Sequence, residues 1–144
     1  MKPEPYRLDP QTYRFTLEVP TRFGDLDPLG HVNNVAIGSF YEEGRAKLNR
    51  ITFPTEMRKR HSMRMLMADL HIAYLGEAHY PEPLIVYSGI SHIGRSSYTI
   101  AQALFQEGQC VGTAESVLVN TDGTAPAPLP AEAIEALKAY ALNT

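Results

Sequence analysis

The sequence has almost no cysteine, no long apolar run and no basic excess, and each shortage removes a class of protein. Its single cysteine, Cys110, cannot form an internal bridge. The opening residues, MKPEPYRLDP, carry prolines and acids where a secretory signal needs an apolar stretch. Both features point to a reducing, cytoplasmic setting. No segment approaches the roughly 20 apolar residues that cross a membrane, so no membrane partner is expected. A formal net charge of -3 argues against a general nucleic-acid binder. Familiar catalytic signatures are missing as well: there is no G-x-S-x-G elbow, no Walker A loop and no H-E-x-x-H. The five histidines, His31, His61, His71, His79 and His92, lack ligand spacing, and no metal is expected.

What remains is an ordinary globular composition. A chain of 144 residues, 44% hydrophobic and 20% charged, fits one domain with a sizeable core. Phe15, Leu17 and Val19 alternate with Arg14, Thr16 and Glu18, the period of a half-buried strand. From Asn34 to about Arg50, the residues Ile37, Tyr41, Gly44 and Leu48 recur at helical spacing. Gly38 and Gly44 inside that helix suggest that another backbone approaches closely. Four extended segments follow, over 63–75, 82–94, 96–108 and 109–123, separated by turn formers, so consecutive antiparallel pairing is the economical topology. Gly89 is a candidate bulge. After the proline-rich 125–130, Ile134, Leu137 and Leu142 have the spacing of a short terminal helix over about 130–141. The sum is α+β with a five-stranded antiparallel sheet, one face of which the long helix covers. Its exposed edge invites a second copy.

Charge is uneven. Seven of the thirteen basic residues fall between Arg45 and Arg64. This run is either the wet end of a helix followed by a solvated loop or a dock for a phosphate-bearing ligand.

The densest polar stretch is GDLDPLGHVNN, residues 24–34. Asp27-Pro28-Leu29-Gly30 has Asp, Pro and Gly at the first, second and fourth positions of a type I turn. Asn33 is placed to cap the long helix, leaving the amide of Asn34 pointing out of its N-terminus. A carboxylate, an imidazole and a helix N-terminus within seven residues are the parts needed to attack and polarise a carbonyl. A plain turn followed by a plain cap accounts for the same letters.

GDLDPLGHVNN followed by FYEEGR resembles the signature of the hotdog-fold acyl-CoA thioesterases of the 4-hydroxybenzoyl-CoA thioesterase type. The likeness extends through IAYLGEAHYPEPLIVYSGISHIGRSS and covers roughly residues 12–122. It implies a single hotdog domain over 1–144, with the sheet wrapped round the central helix. It implies dimers built by joining two sheets, or tetramers, with active sites at the dimer interface. Coenzyme A would be part of the substrate, and no other cofactor is implied. By this resemblance Asp27 is the nucleophile or general base and the helix N-terminal amide of Asn34 polarises the thioester carbonyl. His31 completes the catalytic set, more by orienting the loop than by moving protons, and Asp25 is structural. The expected substrate-binding set is Asn33, Glu42, Arg58, Arg60, Arg95, Ser96 and Ser97. Arg58 and Arg60 belong to the basic run, where the CoA phosphates would be sought, and Ser96 and Ser97 sit in a turn near the pantetheine or nucleotide entrance. Glu42 and Arg45, three apart, are expected to form an ion pair on one helix face. The chain departs from its relatives at Ile37, where many have tyrosine, and at Leu29, where plant acyl-carrier-protein thioesterases have asparagine. The rival function is a non-catalytic acyl-CoA-binding hotdog module.

Overall fold

A computed structural model describes residues 2–144. Two short 3-10 turns, Pro5–Leu8 and Pro10–Thr12, lead into β1 (Phe15–Val19), and a third, Phe23–Asp25, precedes the long helix α1 (Asn34–Thr52). A short helix α2 (Thr55–Arg60) follows, then β2 (Arg64–Tyr74), β3 (Leu84–Ile93), β4 (Ser97–Gln106), β5 (Gln109–Thr121) and α3 (Ala131–Lys138). The basic stretch after Pro54, expected as a loop, is thus partly the helix α2.

The sheet is antiparallel with the order β1-β3-β4-β5-β2. Consecutive pairing holds for β3, β4 and β5 and fails for β2, which lies at the far edge and pairs only with β5. The nine residues between β2 and β3 make that possible: they are too many for a tight hairpin and allow β2 to cross to the other side of the sheet.

Helix α1 lies along the inner face, and its burial follows the sequence period. Ile37, Tyr41, Gly44 and Leu48 are all buried, together with Phe40, Arg45 and Thr52. Its N-terminal half packs on Leu84, Val86, Leu104, Val111 and Ala114, and its C-terminal half shares a second cluster with Ile90, Tyr98, Ile100 and Leu118. One polar strut crosses this layer: Gln102 of β4 donates to the main-chain oxygen of Tyr41 and to Ser88 Oγ, both at 3.0 Å. Gly44 is where the helix comes closest to the sheet, whereas Gly38 meets nothing within 4 Å, so the expected close approach there is absent from the single chain.

The outer face is covered by the segments around Tyr13 and Leu142. Tyr13 packs with Ala101, Ala103, Phe105, Tyr87, Cys110 and Leu142. Asn143 N–H donates to the Thr12 carbonyl at 2.8 Å, and Arg14 Nε donates to Asn143 Oδ1 at 2.8 Å. Leu142, expected on the last turn of the terminal helix, lies beyond it: α3 ends at Lys138 and the tail continues alongside β3. That tail explains Gly89. A Cβ there would come within 2.6 Å of Leu142 Cδ2, so the glycine admits the tail, while the register shift of β3 falls between Ile90 and His92.

Candidate functional site

The polar stretch 24–34 folds back on itself into a closed loop. Leu26 and Val32 form an antiparallel bridge, Asp27 N–H donates to the His31 carbonyl at 2.8 Å, and Asn33 N–H donates to the Asp25 carbonyl at 2.8 Å. Inside it the expected turn is present: Gly30 N–H donates to the Asp27 carbonyl at 3.0 Å, and Gly30 adopts φ +86°, which a side chain would strain. Val32 N–H bonds the Ala78 carbonyl at 2.8 Å, tying the loop to the β2–β3 connection.

The two aspartates divide their work. Asp25 is 5% exposed and its carboxylate is consumed locally, accepting from Arg22 N–H at 3.0 Å and from the Arg22 guanidinium at 2.8 Å. The Arg22 side-chain bond holds the Asp25 carboxyl below the usual carboxylate range, against the opposing effect of burial. Asp27 is half-buried and spends one oxygen on the loop: Oδ1 accepts from Leu29 N–H at 2.9 Å and His31 N–H at 3.2 Å. Its Oδ2 accepts nothing among the described residues. A carboxylate anchored through one oxygen and free at the other can meet a ligand without being rebuilt.

At the helix start, Asn33 has extended backbone (φ -64°, ψ 144°) and its Oδ1 accepts from Val35 N–H at 2.8 Å, the N-cap read from the sequence. Asn34 N–H has no acceptor among the described residues. This donor stands at the positive end of a 19-residue helix, and the loop closure keeps it in the same unit as Asp27.

His31 turns to other partners. Its Nδ1 is 3.1 Å from Glu77 Oε2, and its ring meets the His79 ring edge-on at 5.3 Å between centroids. The imidazole therefore braces the loop against 77–79. Glu77 and His79 were not picked out from the sequence; as polar residues in a connection between strands they carried no signal of their own.

The remaining expected residues lie elsewhere in the chain. Arg58 donates to Thr55 Oγ1 at 3.2 Å and lines a cleft of about 350 Å³ with Asn49, Arg50, Phe53 and Met63, beside the C-terminal half of α1. Arg60 is tied to Glu132 of α3, donating to Oε2 at 2.8 Å and also contacting Oε1. Arg95, Ser96 and Ser97 form the β3–β4 hairpin, where the Ser97 carbonyl accepts from Gly94 N–H at 2.7 Å and the Ser96 carbonyl from Asn120 N–H at 2.8 Å. Within one chain this group and Asp27 sit toward opposite ends of α1, a helix about 28 Å long.

The expected Glu42–Arg45 ion pair does not form within the chain. Glu42 is exposed and Arg45 is 6% exposed, with no carboxylate at salt-bridge distance among the described residues. Burial pulls the Arg45 guanidinium below its ordinary pKa, and the nearby Glu42 charge pulls the other way. The two residues share one helix face, but burial draws the arginine into the helix–sheet layer while the glutamate faces water.

A model of the thioesterase-like superfamily matches residues 21–137 of the chain. Among solved structures, a predicted thioesterase from Bacillus stearothermophilus is 28% identical, with a TM-score of 0.79 over 88% of this chain and 96% of its own. A Thermus thermophilus thioesterase complexed with coenzyme A and zinc is 29% identical, with a TM-score of 0.79 over 90% and 95%. A 4-hydroxybenzoyl-CoA thioesterase variant with 4-hydroxybenzoyl-CoA bound is 18% identical and shares the fold, with a TM-score of 0.76 over 85% and 97%. No curated protein sequence matches the chain significantly.

Proposed function

The chain belongs to the thioesterase-like superfamily, with the hotdog fold and thioester hydrolysis as its chemistry, and we propose that it hydrolyses an acyl-CoA to the free acid and coenzyme A. The observation that carries this reading is the pairing, in one closed loop, of the free Oδ2 of Asp27 with the unpartnered amide of Asn34. In the proposed reaction the thioester oxygen accepts from Asn34 N–H, which stabilises the negative charge that develops there. Asp27 then either attacks the carbonyl carbon, giving a mixed anhydride that water opens, or removes a proton from an attacking water. The leaving group departs as thiolate, which a thiol pKa of about 8.5 permits without a strong acid. Asn33 and His31 act by holding Asn34 and Asp27 in place.

The substrate's other end and the assembly belong to the same proposal. Strand β2 is an open edge, and Leu66, Met67, Leu70 and Tyr74 on it are between 42% and 57% exposed. Pairing two copies along β2 about a two-fold axis buries those side chains and removes the edge. The Tyr74 end of one strand then lies beside the Arg64 end of the other. Within a chain Tyr74 pairs with Gly112, over which Tyr41 sits, near the α1 N-terminus. Arg64 lies four residues after the end of α2 and lines a second cleft with Arg58, Lys59 and Met63. The two-fold thus carries the partner subunit's Arg58 toward Asp27 and Asn34, joining a basic cleft suited to CoA phosphates with the reactive groups. Among the described residues no helix is long and apolar enough to cross a membrane.

The test is free-thiol release from a panel of short, medium, long-chain and aromatic acyl-CoAs by wild type and Asp27→Asn. Turnover should fall by at least ~10²-fold in the variant with the fold intact. Tight acyl-CoA binding without thiol release by either protein would make the chain a binding module instead.

A further inference from the structure

Four polar atoms buried between α1 and the sheet have no hydrogen-bond partner among the described residues: Tyr41 Oη, Arg45 Nη1, Gln102 Oε1 and Ser116 Oγ. Arg45 is the most demanding of them, because a buried cation without a counter-charge costs far more than a buried hydroxyl. Its surroundings show where the missing anion would come from. One turn before Arg45, the Tyr41 hydroxyl lies over Gly112 of β5, where a Cβ would come within 2.8 Å of it. One turn after, Asn49 lines a cleft with Ala46, Met65 of β2 and Leu118 of β5. Arg45 therefore faces the β5–β2 side of the sheet, the side that ends in the open edge. Glu42, seven residues before Asn49, presents its exposed and unpaired carboxylate on the same side.

The contacts along the sheet agree as well. The Tyr41 hydroxyl reaches Gly112, which pairs with Tyr74, and Asn49 shares a cleft with Leu118, which pairs with Met67. The middle of β2, around Asp69 and Leu70, lies between those two points, as does the turn of α1 that holds Arg45. A two-fold axis through that point sets the two helices antiparallel with Arg45 of each chain facing the same turn of the other. Glu42 is offset from that level by about 4.5 Å along the axis, within the span of an arginine side chain.

We propose that a second copy of this chain supplies the missing anion: Glu42 of each subunit pairs with Arg45 of the other, one pair on either side of the two-fold. The proposal rests on the β2-edge dimer described above, and it makes Glu42 and Arg45 the determinants of that dimer's register. They are positioning residues, since they fix which part of the partner is presented to the Asn34 amide. The arrangement is self-complementary, as a two-fold interface must be, and it satisfies a buried cation that the single chain leaves unpaired.

A charge exchange between separate chains tests this. Glu42→Arg and Arg45→Glu proteins are prepared apart, mixed, and their dimers counted by native mass spectrometry. Each homodimer sets like charges against each other across the axis and should dissociate roughly 100-fold more readily than wild type. The mixed dimer restores both opposite-charge pairs and should dominate the mixture. A pair formed inside one chain predicts no such enrichment, because each variant chain carries two like charges. A statistical 1:2:1 mixture would therefore overturn the proposal. Should Arg45→Glu fail to fold, Glu42→Arg alone decides, with Glu43→Arg as control: the first should weaken the dimer and the second should not, and equal effects would count against the pairing. A wild type that is monomeric at all concentrations would overturn both this inference and the β2-edge dimer, while thiol release would still report on Asp27 independently.

Discussion

Gly44 of α1 lies so close to Val86 of β3 that a Cβ on the glycine would come within 2.6 Å of the valine Cγ1 and within 2.9 Å of Gln102 Nε2. The long helix is seated this deeply because Gly44 puts no side chain between its own backbone and the sheet. The Gly44→Ala variant should therefore lose about 1–3 kcal/mol by overpacking, outweighing the gain in helix propensity of about 1 kcal/mol. Urea unfolding of the two proteins gives the number, and an alanine variant as stable as wild type would mean the layer can relax.

Tyr98 donates its hydroxyl to Asn49 Oδ1 at 2.6 Å, a bond across the helix–sheet layer at a side chain that is fully buried. Removing the hydroxyl in Tyr98→Phe leaves the ring packed against Phe53, 5.6 Å away between centroids, and strips Asn49 of its donor. A loss of about 1–2 kcal/mol is expected. An unchanged midpoint in chemical denaturation would show that water replaces the phenol.

The Arg22–Asp25 pair makes part of the loop's stability depend on pH. The Asp25 carboxyl is depressed in the folded chain, chiefly by the Arg22 side-chain bond. Its contribution is therefore fully present above the unfolded aspartate value of about 3.9 and is lost as the pH falls through the lower folded value. Asp25→Asn should be less stable than wild type at pH 7, and the gap should close in acid below about pH 4. Thermal melts of both proteins across that range check the sign, and a gap that widened in acid would contradict it.

The cap at Asn33 serves both stability and the site. Asn33→Ala removes the acceptor for Val35 N–H and should cost about 1 kcal/mol. It also loosens the turn that aims Asn34 N–H, so thiol release should fall more than the stability loss alone explains. Asn33→Asp keeps the cap and should retain most of both. Melting temperature and turnover measured on the same samples separate the two effects.

Local structure was legible in this sequence where chemistry and spacing coincided. The turn at Asp27–Gly30, the Asn33 cap and the Ile37, Tyr41, Gly44, Leu48 stripe each combine a residue type with a backbone requirement, and each stands where expected. What depends on distant partners was not legible. The position of β2 follows from its pairing with β5, some 45 residues further along the chain, and no local signal encodes that choice. Gly38 and Gly44 look alike as letters, yet only Gly44 meets the sheet. Glu42 and Arg45 share a helix face, but which of them is buried depends on the sheet beneath the helix. Arg60 illustrates the same limit: its counter-ion, Glu132, comes from a helix at the other end of the chain.

The arm that packs Tyr13 over Ala101, Ala103 and Phe105 also acts as a shield. Those three residues form an apolar strip on alternate positions of β4, the kind of surface on which a second sheet could stack back to back. Tyr13 and Leu142 cover the strip, which closes this face to a second sheet. Trimming the first 13 residues would unwrap it, and the shortened protein should be the stickier one, clumping through a face that the intact chain keeps to itself.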